Sequence, residues 1–232
     1  KPWPGVETGK ETFLVNGESF NECLYGFELK GDGYIGKRTT LDDLPTPLKM
    51  IDRAMDPIEK KYRTSGAVSS ELRVGDKGVY YVDPCRRFGN PPTASIIRMY
   101  KNLSKIVEGV VDGVEVEPEW SDDYVAELSV DVSRADEVSV PMELSEKDFD
   151  HIKLRAACKI NDVYYNIPFK SVGITIVKVV GSGSSREEAE FDVLRSAEHF
   201  AKDCCKGAYF NASTFEKLEE ELDKAVEFGI NF

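Results

Sequence analysis

The chain has 232 residues, of which 41% are hydrophobic and 31% charged. That is enough to bury a sizeable core in one large domain or two small ones. Asp and Glu number 42 against 30 Lys and Arg, a net charge of −12, which argues against nucleic acid as the main partner, because binding a phosphate backbone needs clustered Lys and Arg. A small anionic ligand in a local basic pocket stays open.

The first residue is Lys1, and "KPWPG" reads as the interior of a longer chain, so a fragment or processed product is expected. "TFLVNGESF" has the pattern of a hairpin with "NG" at its turn. "LYGFELK" and "GYIGKRT" form a second strand pair around "GDG". The segment 41–62 is predicted as a helix, capped by Thr46, with Pro47 in its first turn and Pro57 inside. Leu48, Ile51, Met55, Ile58 and Tyr62 share one face of it.

"AVSSELRV", "GDKG" and "VYYVD" read as strand, turn and strand. After the "GNPP" corner, 93–113 is predicted as one helix with Ile96, Tyr100, Leu103, Val107 and Val110 on a single face and Gly113 at its end. The acidic "VEVEPEWSDD" is a candidate boundary, dividing the chain into 1–117 and 118–232. "YVAELSVDVS" alternates as a half-exposed strand. "HIKLRAACKI" and "VYYNIPF" are strands joined by "ND", and "ITIVKVV" is a buried strand.

Two helices follow, each with a capping box: Ser184 or Ser185 with Glu187 or Glu188, then Ser213 with Glu216. Gly181 and Gly183 fit neither a GxGxxG nor a P-loop spacing and are read as part of a capped helix start. Hairpins and helices without regular βαβ alternation argue an α+β fold.

No apolar run approaches the ~20 residues of a membrane helix, so no membrane partner is expected. Five cysteines without a CxxC pair, and only two histidines, His151 and His199, argue against zinc. Reduced thiols in a cytoplasmic protein are expected, with Cys204 and Cys205 as packing residues. His199 reads as a helix-side residue and His151 as a strand or loop residue.

The main chemical candidate is "SSELRVGDKGVYYVDPCRRFGNPP". Glu71 and Asp83 lie on paired strands, where cross-strand neighbours approach to ~5 Å. Two carboxylates that close need a positive charge between them. Mg²⁺ with nucleotide phosphates is one answer; a surface cluster with Arg73, Arg86 and Arg87 is the other. Exposed charge clusters are common and weak, so the residues alone favour the cluster.

The order of Glu71 on one strand, a short turn, then Asp83–x–Cys85–x–Arg87 resembles the acid…acid–x–Asn–x–Arg site of the ATP-grasp enzymes. "LYGFELKGDGYIGK", "NLSKIVEGVVDG" and "VVGSGSSREEAEFDVLRSAEHF" are similar to the phosphoribosylamine–glycine ligase-like members of that superfamily. The resemblance reverses the order of the two readings. It implies the second ATP-grasp lobe, an antiparallel sheet with helices, followed by a small α+β C-terminal domain.

It further implies ATP and Mg²⁺ as cofactors and carboxylate and amine small molecules as substrates, joined through an acyl phosphate. Glu71 and Asp83 would bind Mg²⁺, and Arg87 would meet the developing negative charge. Glu7 and Glu11 would lie near the ribose. The strand bearing Glu28 and Lys30 would line the nucleotide cleft; a solvent-facing ion pair is the other reading of those two. Cys85 stands where many members have Asn, and a thiol is a poor Mg²⁺ ligand. The first lobe would lie upstream in cis, so the chain alone is expected to be inactive; a homodimer is compatible with this reading. The alternative is a non-catalytic binding or structural protein that keeps the lobe.

Overall fold

In the computed structural model, residues 5–171 and 173–232 are described; Lys1 and most of "KPWPG" lie outside them. The chain is α+β, dominated by one antiparallel sheet. Its strands are β1 (Val6–Val15), β2 (Glu18–Ser19), β3 (Glu22–Leu29), β4 (Gly33–Thr40), β5 (Gly66–Gly75), β6 (Gly78–Cys85), β7 (Tyr124–Val132), β8 (Pro141–Met142), β9 (Ile152–Leu154), β10 (Ala157–Ile160), β11 (Val163–Asn166), β12 (Thr175–Gly183) and β13 (Ala208–Tyr209). The main order is β6-β5-β1-β3-β4-β7-β12-β9, with β2 beside β1 and β13 beside β7, while β10-β11-β8 form a small second sheet. β4 pairs with β7, so strands from before and after residue 117 share one sheet.

Both faces of the main sheet are covered. One carries Tyr25, Phe27, Leu72, Leu128 and Val130 under α1 (Thr46–Tyr62), α4 (Arg186–His199) and α5 (Thr214–Glu227). The other carries Phe13, Leu24, Tyr34 and Val125 with α2 (Thr93–Met99) and α3 (Leu103–Asp112). Fully burying side chains of this size contributes roughly 1.5–3 kcal/mol each. The alternation along β3, with Cys23, Tyr25 and Phe27 against one core and Leu24 against the other, is the period of two that a strand imposes.

The turn signals hold: Asn16 and Gly17 take positive φ values of 53° and 89° at the first hairpin, and Asn161 and Asp162 take 48° and 65° at the "ND" turn. Several expectations do not. The first strand of the "TFLVNGESF" hairpin begins well before it, at Val6, and runs ten residues to Val15. Pro45, not Thr46, precedes the first turn of α1, without a side-chain cap. Ile58 and Tyr62 are 48% and 70% exposed, so only the N-terminal part of the α1 stripe is core.

The helix predicted over 93–113 is two. Tyr100 leaves helical backbone and bridges Trp120, and buried Asn102 binds the main chain of Glu117 and Glu119 at 2.9 Å each. The acidic segment is thus docked on the break. β7 is not half-exposed: flanked by β4 and β12, it buries Glu127 and Ser129 as well as its apolar residues. Glu127 accepts from the Ser95 amide and hydroxyl at 3.1 and 3.0 Å, and Lys178 lies 3.4 Å away, which offsets the cost of a buried charge. Among the described residues no helix is long and apolar enough to cross a membrane, and all five cysteines are free.

Candidate functional site

The site is a product of strand register. Gly9 on β1 pairs with Glu71 on β5 and with Gly26 on β3, so alternate residues of three strands share one face. Glu7, Gly9 and Glu11 come from β1, Ser69 and Glu71 from β5, and Gly26 and Glu28 from β3. On β6, Asp83 lies directly opposite Glu71, beside an irregularity that lets Leu72 pair with Tyr81. Val82 is the extra residue, and a bulge at a sheet edge commonly re-aims a side chain. The face opens into a cavity of about 270 Å³. Glu7, Glu11, Glu28, Lys30, Glu71, Asp83 and Arg87, all singled out from the sequence, line it together.

Lys30 stands at the centre of the charge pattern. Its Nζ is 3.0 Å from Glu7 Oε1, 3.0 Å from Glu71 Oε1 and 3.2 Å from Glu28 Oε1. Glu7 also accepts from Arg73. Oxygens of Glu7, Glu28 and Glu71 lie within 4.8 Å of one another. Burial, then the neighbouring Glu7, pushes the Glu28 carboxyl up to about 8; burial likewise raises Glu71. Burial also opposes the charge on Glu7, but hydrogen bonding with Glu71, Glu28, Arg73 and Lys30 outweighs it and holds that carboxyl well below the usual range. The cluster therefore concentrates its charge on Glu7 and holds a proton at Glu28.

The positive charge that the sequence requires near Glu71 is thus supplied by Lys30. Arg86 turns away to Glu59 at 2.7 Å. Arg87 Nη1 donates to the Phe88 carbonyl at 2.7 Å on the exposed rim. Asp83 Oδ2 accepts from the Cys85 thiol at 3.0 Å, and burial raises that thiol to about 11.

Glu11 is the driest carboxyl of the cavity. Ser69 Oγ donates to it at 2.5 Å and the Gly89 amide at 3.2 Å, yet burial dominates and pushes it up to about 8. Tyr34 was not foreseen as a site residue. Its ring fills the space left by Gly26 and Gly36, where an added Cβ would meet ring or hydroxyl atoms at 2.3 and 2.5 Å. Its buried hydroxyl has no hydrogen-bond partner, nor has Glu28 Oε1 beyond its ion pair with Lys30. The cross-strand Gly26–Gly36 pair was the available signal, since two opposed glycines leave a vacancy that an aromatic neighbour fills. The Glu7, Glu28 and Glu71 carboxylates offer only oxygen, with unpartnered polar atoms beside them, and so fit a hard divalent cation and its oxygen-bearing ligand.

No family model matches the chain, and no curated protein matches it in sequence. Solved structures do match. Phosphoribosylamine–glycine ligase from Thermotoga maritima superposes with a TM-score of 0.61 at 17% identity, over 90% of this chain and 54% of that one. The biotin carboxylase domain of Hydrogenobacter thermophilus 2-oxoglutarate carboxylase, in complex with MgADP, ADP and bicarbonate, gives 0.56 at 11%, over 93% and 53%. Phosphoribosylglycinamide synthetase from Anaerococcus prevotii gives 0.52 at 13%, over 84% and 53%. The chain spans about half the length of each of these, and at such identities the likeness is one of fold. The chain carries a partial ATP-grasp fold, with the carboxylate cavity on its sheet.

Proposed function

We propose that this chain forms the metal- and phosphate-facing wall of an ATP-dependent carboxylate–amine ligase. One observation carries the reading: seven residues, spread from position 7 to position 87, converge on one cavity whose donors are carboxylate oxygens around a single ammonium. A phosphoribosylamine–glycine ligase among the structural neighbours, and a neighbour solved with MgADP, support it. Glu71 and Asp83 would hold Mg²⁺, which when bound neutralises phosphate charge. Glu7, Glu11, Glu28 and Lys30 would face the nucleotide.

In such a reaction a carboxylate oxygen attacks the terminal phosphorus and ADP leaves. An amine then attacks the acyl carbon, phosphate leaves, and the amine loses a proton. Arg87, on the rim, would meet the charge that develops at the transferring phosphoryl group; positioning and electrostatics supply most of such catalysis. Residues 1–117 would act as the second ATP-grasp lobe and 118–232 as a small C-terminal domain joined to it through the β4–β7 pairing.

The Cys85–Asp83 contact favours a second reading, a lobe that binds without turnover, because the thiol occupies one of the Asp83 oxygens. Calorimetric titration with Mg·ATP, together with a turnover assay, on the full-length protein including the first lobe separates the two. Glu71→Gln and Asp83→Asn should each weaken Mg·ATP binding, and Arg87→Ala should leave binding near normal while removing turnover. Unchanged affinity in both acid variants would remove the metal assignment. Binding without turnover in a protein that carries the first lobe as well would select the second reading.

A further inference from the structure

A second convergence of ligating side chains lies away from the cavity, where α4 ends. A π-helical turn, Phe200–Cys204, continues directly from α4 and is closed by the Cys205 amide on the Phe200 carbonyl at 3.0 Å, a bond spanning five residues. In an α-helix of 3.6 residues per turn, positions five apart point to different faces. The wider turn carries Cys204 back beneath His199, and its Sγ lies 3.5 Å from His199 Nε2. The same nitrogen is 3.0 Å from Oδ1 of Asp148, which comes from a separate 3₁₀ turn, Glu146–Asp150.

We propose that Asp148, His199 and Cys204 form a binding site for a borderline divalent transition metal ion of the Zn²⁺ class. Four observations carry it. The three donor atoms lie within 4.8 Å of one another. The separations of Asp148 Oδ1 and Cys204 Sγ from His199 Nε2, 3.0 and 3.5 Å, approach the roughly 3.3–3.7 Å between ligands of a tetrahedral zinc ion with bonds of 2.0–2.3 Å.

The other ring nitrogen, Nδ1, lies 3.0 Å from Asp203 Oδ2, and a carboxylate on the far side of a ligating imidazole fixes its tautomer and orientation. Asp148 is itself held: its Oδ2 accepts from the Ser145 amide at 2.6 Å and hydroxyl at 2.7 Å, leaving Oδ1 toward the histidine. An ordinary ion pair accounts for the carboxylates about His199. It does not account for a buried thiol turned onto the same ring nitrogen.

The donor set selects the ion. A thiolate, an imidazole and one carboxylate suit zinc, cobalt or nickel and disfavour magnesium, which takes oxygen. On binding, the Cys204 thiol proton and the proton on His199 Nε2 pass to solvent, and the metal takes their place between the three donors. His199 is 48% exposed, so the fourth position faces water. The expectation against zinc assumed sequence-local ligand pairs, whereas here the π-turn and a distant 3₁₀ turn bring the set together.

Co²⁺ titration of the protein tests the site, because a thiolate-bound tetrahedral cobalt ion shows a near-ultraviolet charge-transfer band and intense visible bands. One equivalent of Co²⁺ should give both, Zn²⁺ should abolish them, and Mg²⁺ should not. Cys204→Ser should eliminate the charge-transfer band. Asp203→Asn should weaken affinity about 10–100-fold. His199→Gln, at a half-exposed position that should not disturb folding, should lose the band with an unchanged far-ultraviolet circular dichroism spectrum. Cys158→Ser, at the exposed thiol, should keep it. No band in the unaltered protein, or a band that survives Cys204→Ser or His199→Gln, overturns the proposal.

Discussion

The two clusters are built in opposite ways. Glu7, Glu28 and Glu71 come from three strands whose register brings residues more than sixty positions apart onto one face. His199 and Cys204 come from a single turn of one helix and need only Asp148 from elsewhere. The first cluster is oxygen throughout and already neutralised in part by Lys30; the second mixes sulfur, nitrogen and oxygen at a half-exposed helix end. A sheet gathers like residues by alternation, while an irregular helical turn gathers unlike ones, and donor chemistry then decides which cation each would accept.

The largest effect expected is on the dry side of that comparison, at Glu11. Its carboxyl is raised from 4.5 to about 8, by burial above all. A carboxyl raised on folding binds more protons in the folded than in the unfolded state between those values, so its contribution to stability falls as pH rises through that window. Glu11→Gln keeps the shape and removes the titration. Relative to the unaltered protein it should gain a few kcal/mol between about pH 5 and pH 8. Urea denaturation at the two pH values reads the difference. Parallel stability profiles for the two proteins would mean that Glu11 is solvated, and the contrast between a dry and a wet cluster would go.

Next is Lys30→Met, which leaves the oxygens of Glu7, Glu28 and Glu71 without their shared ammonium. Lys30 is 65% exposed, so solvent screening limits the cost to about 1–2 kcal/mol near pH 8. The loss should shrink below about pH 8, where Glu28 takes up its proton. In a chain of this size it amounts to a fall in melting temperature of about 2–4 °C per kcal/mol. Added Mg²⁺ should raise the melting temperature of Lys30→Met more than that of the unaltered protein, since both cations compete for the same oxygens. His199→Gln should respond to Mg²⁺ as the unaltered protein does. An equal Mg²⁺ response in all three proteins would separate Lys30 from any cation site.

The cavity residues were legible chiefly through the resemblance to the ATP-grasp enzymes; what the residues themselves carried was the placement of Glu71 and Asp83 on paired strands and the acid–x–x–x–Arg string, both of which survive in one dimension. Lys30 as the shared counter-charge was not, since its reach to Glu7 and Glu71 depends on how β1, β3 and β5 are ordered. Tyr34 was hidden by looking apolar. The break between α2 and α3 was missed because Asn102 gains its partners only from a segment fifteen or more residues later, which local periodicity does not see. β7 was read as half-exposed from its alternating Glu127, Ser129 and Asp131, but its partners Ser95 and Lys178 bury the first two. The His199–Cys204 spacing of five belongs to no regular helix and so carried no signal.

The smallest effect concerns the helix ends, where identical sequence signals have different outcomes. Ser185 and Ser213 each precede a helix with Glu three residues on. Ser185 Oγ accepts from the Glu188 amide at 3.2 Å, and Glu188 returns to the Ser184 amide and hydroxyl at 2.9 and 2.7 Å. Ser213 makes no such cap: its hydroxyl and amide both turn back to Asn211 Oδ1, at 2.9 and 3.2 Å. Ser185→Ala should therefore cost about 1 kcal/mol, and Ser213→Ala less than about 0.5 kcal/mol, by thermal or urea denaturation. Because Ser185 and His199 lie at opposite ends of α4, fraying the first turn should leave Co²⁺ affinity unchanged. A loss of Co²⁺ binding in Ser185→Ala would mean that the second cluster depends on the whole helix rather than on its final π-turn, and would bring it closer in kind to the cavity, where register across distant elements does the gathering.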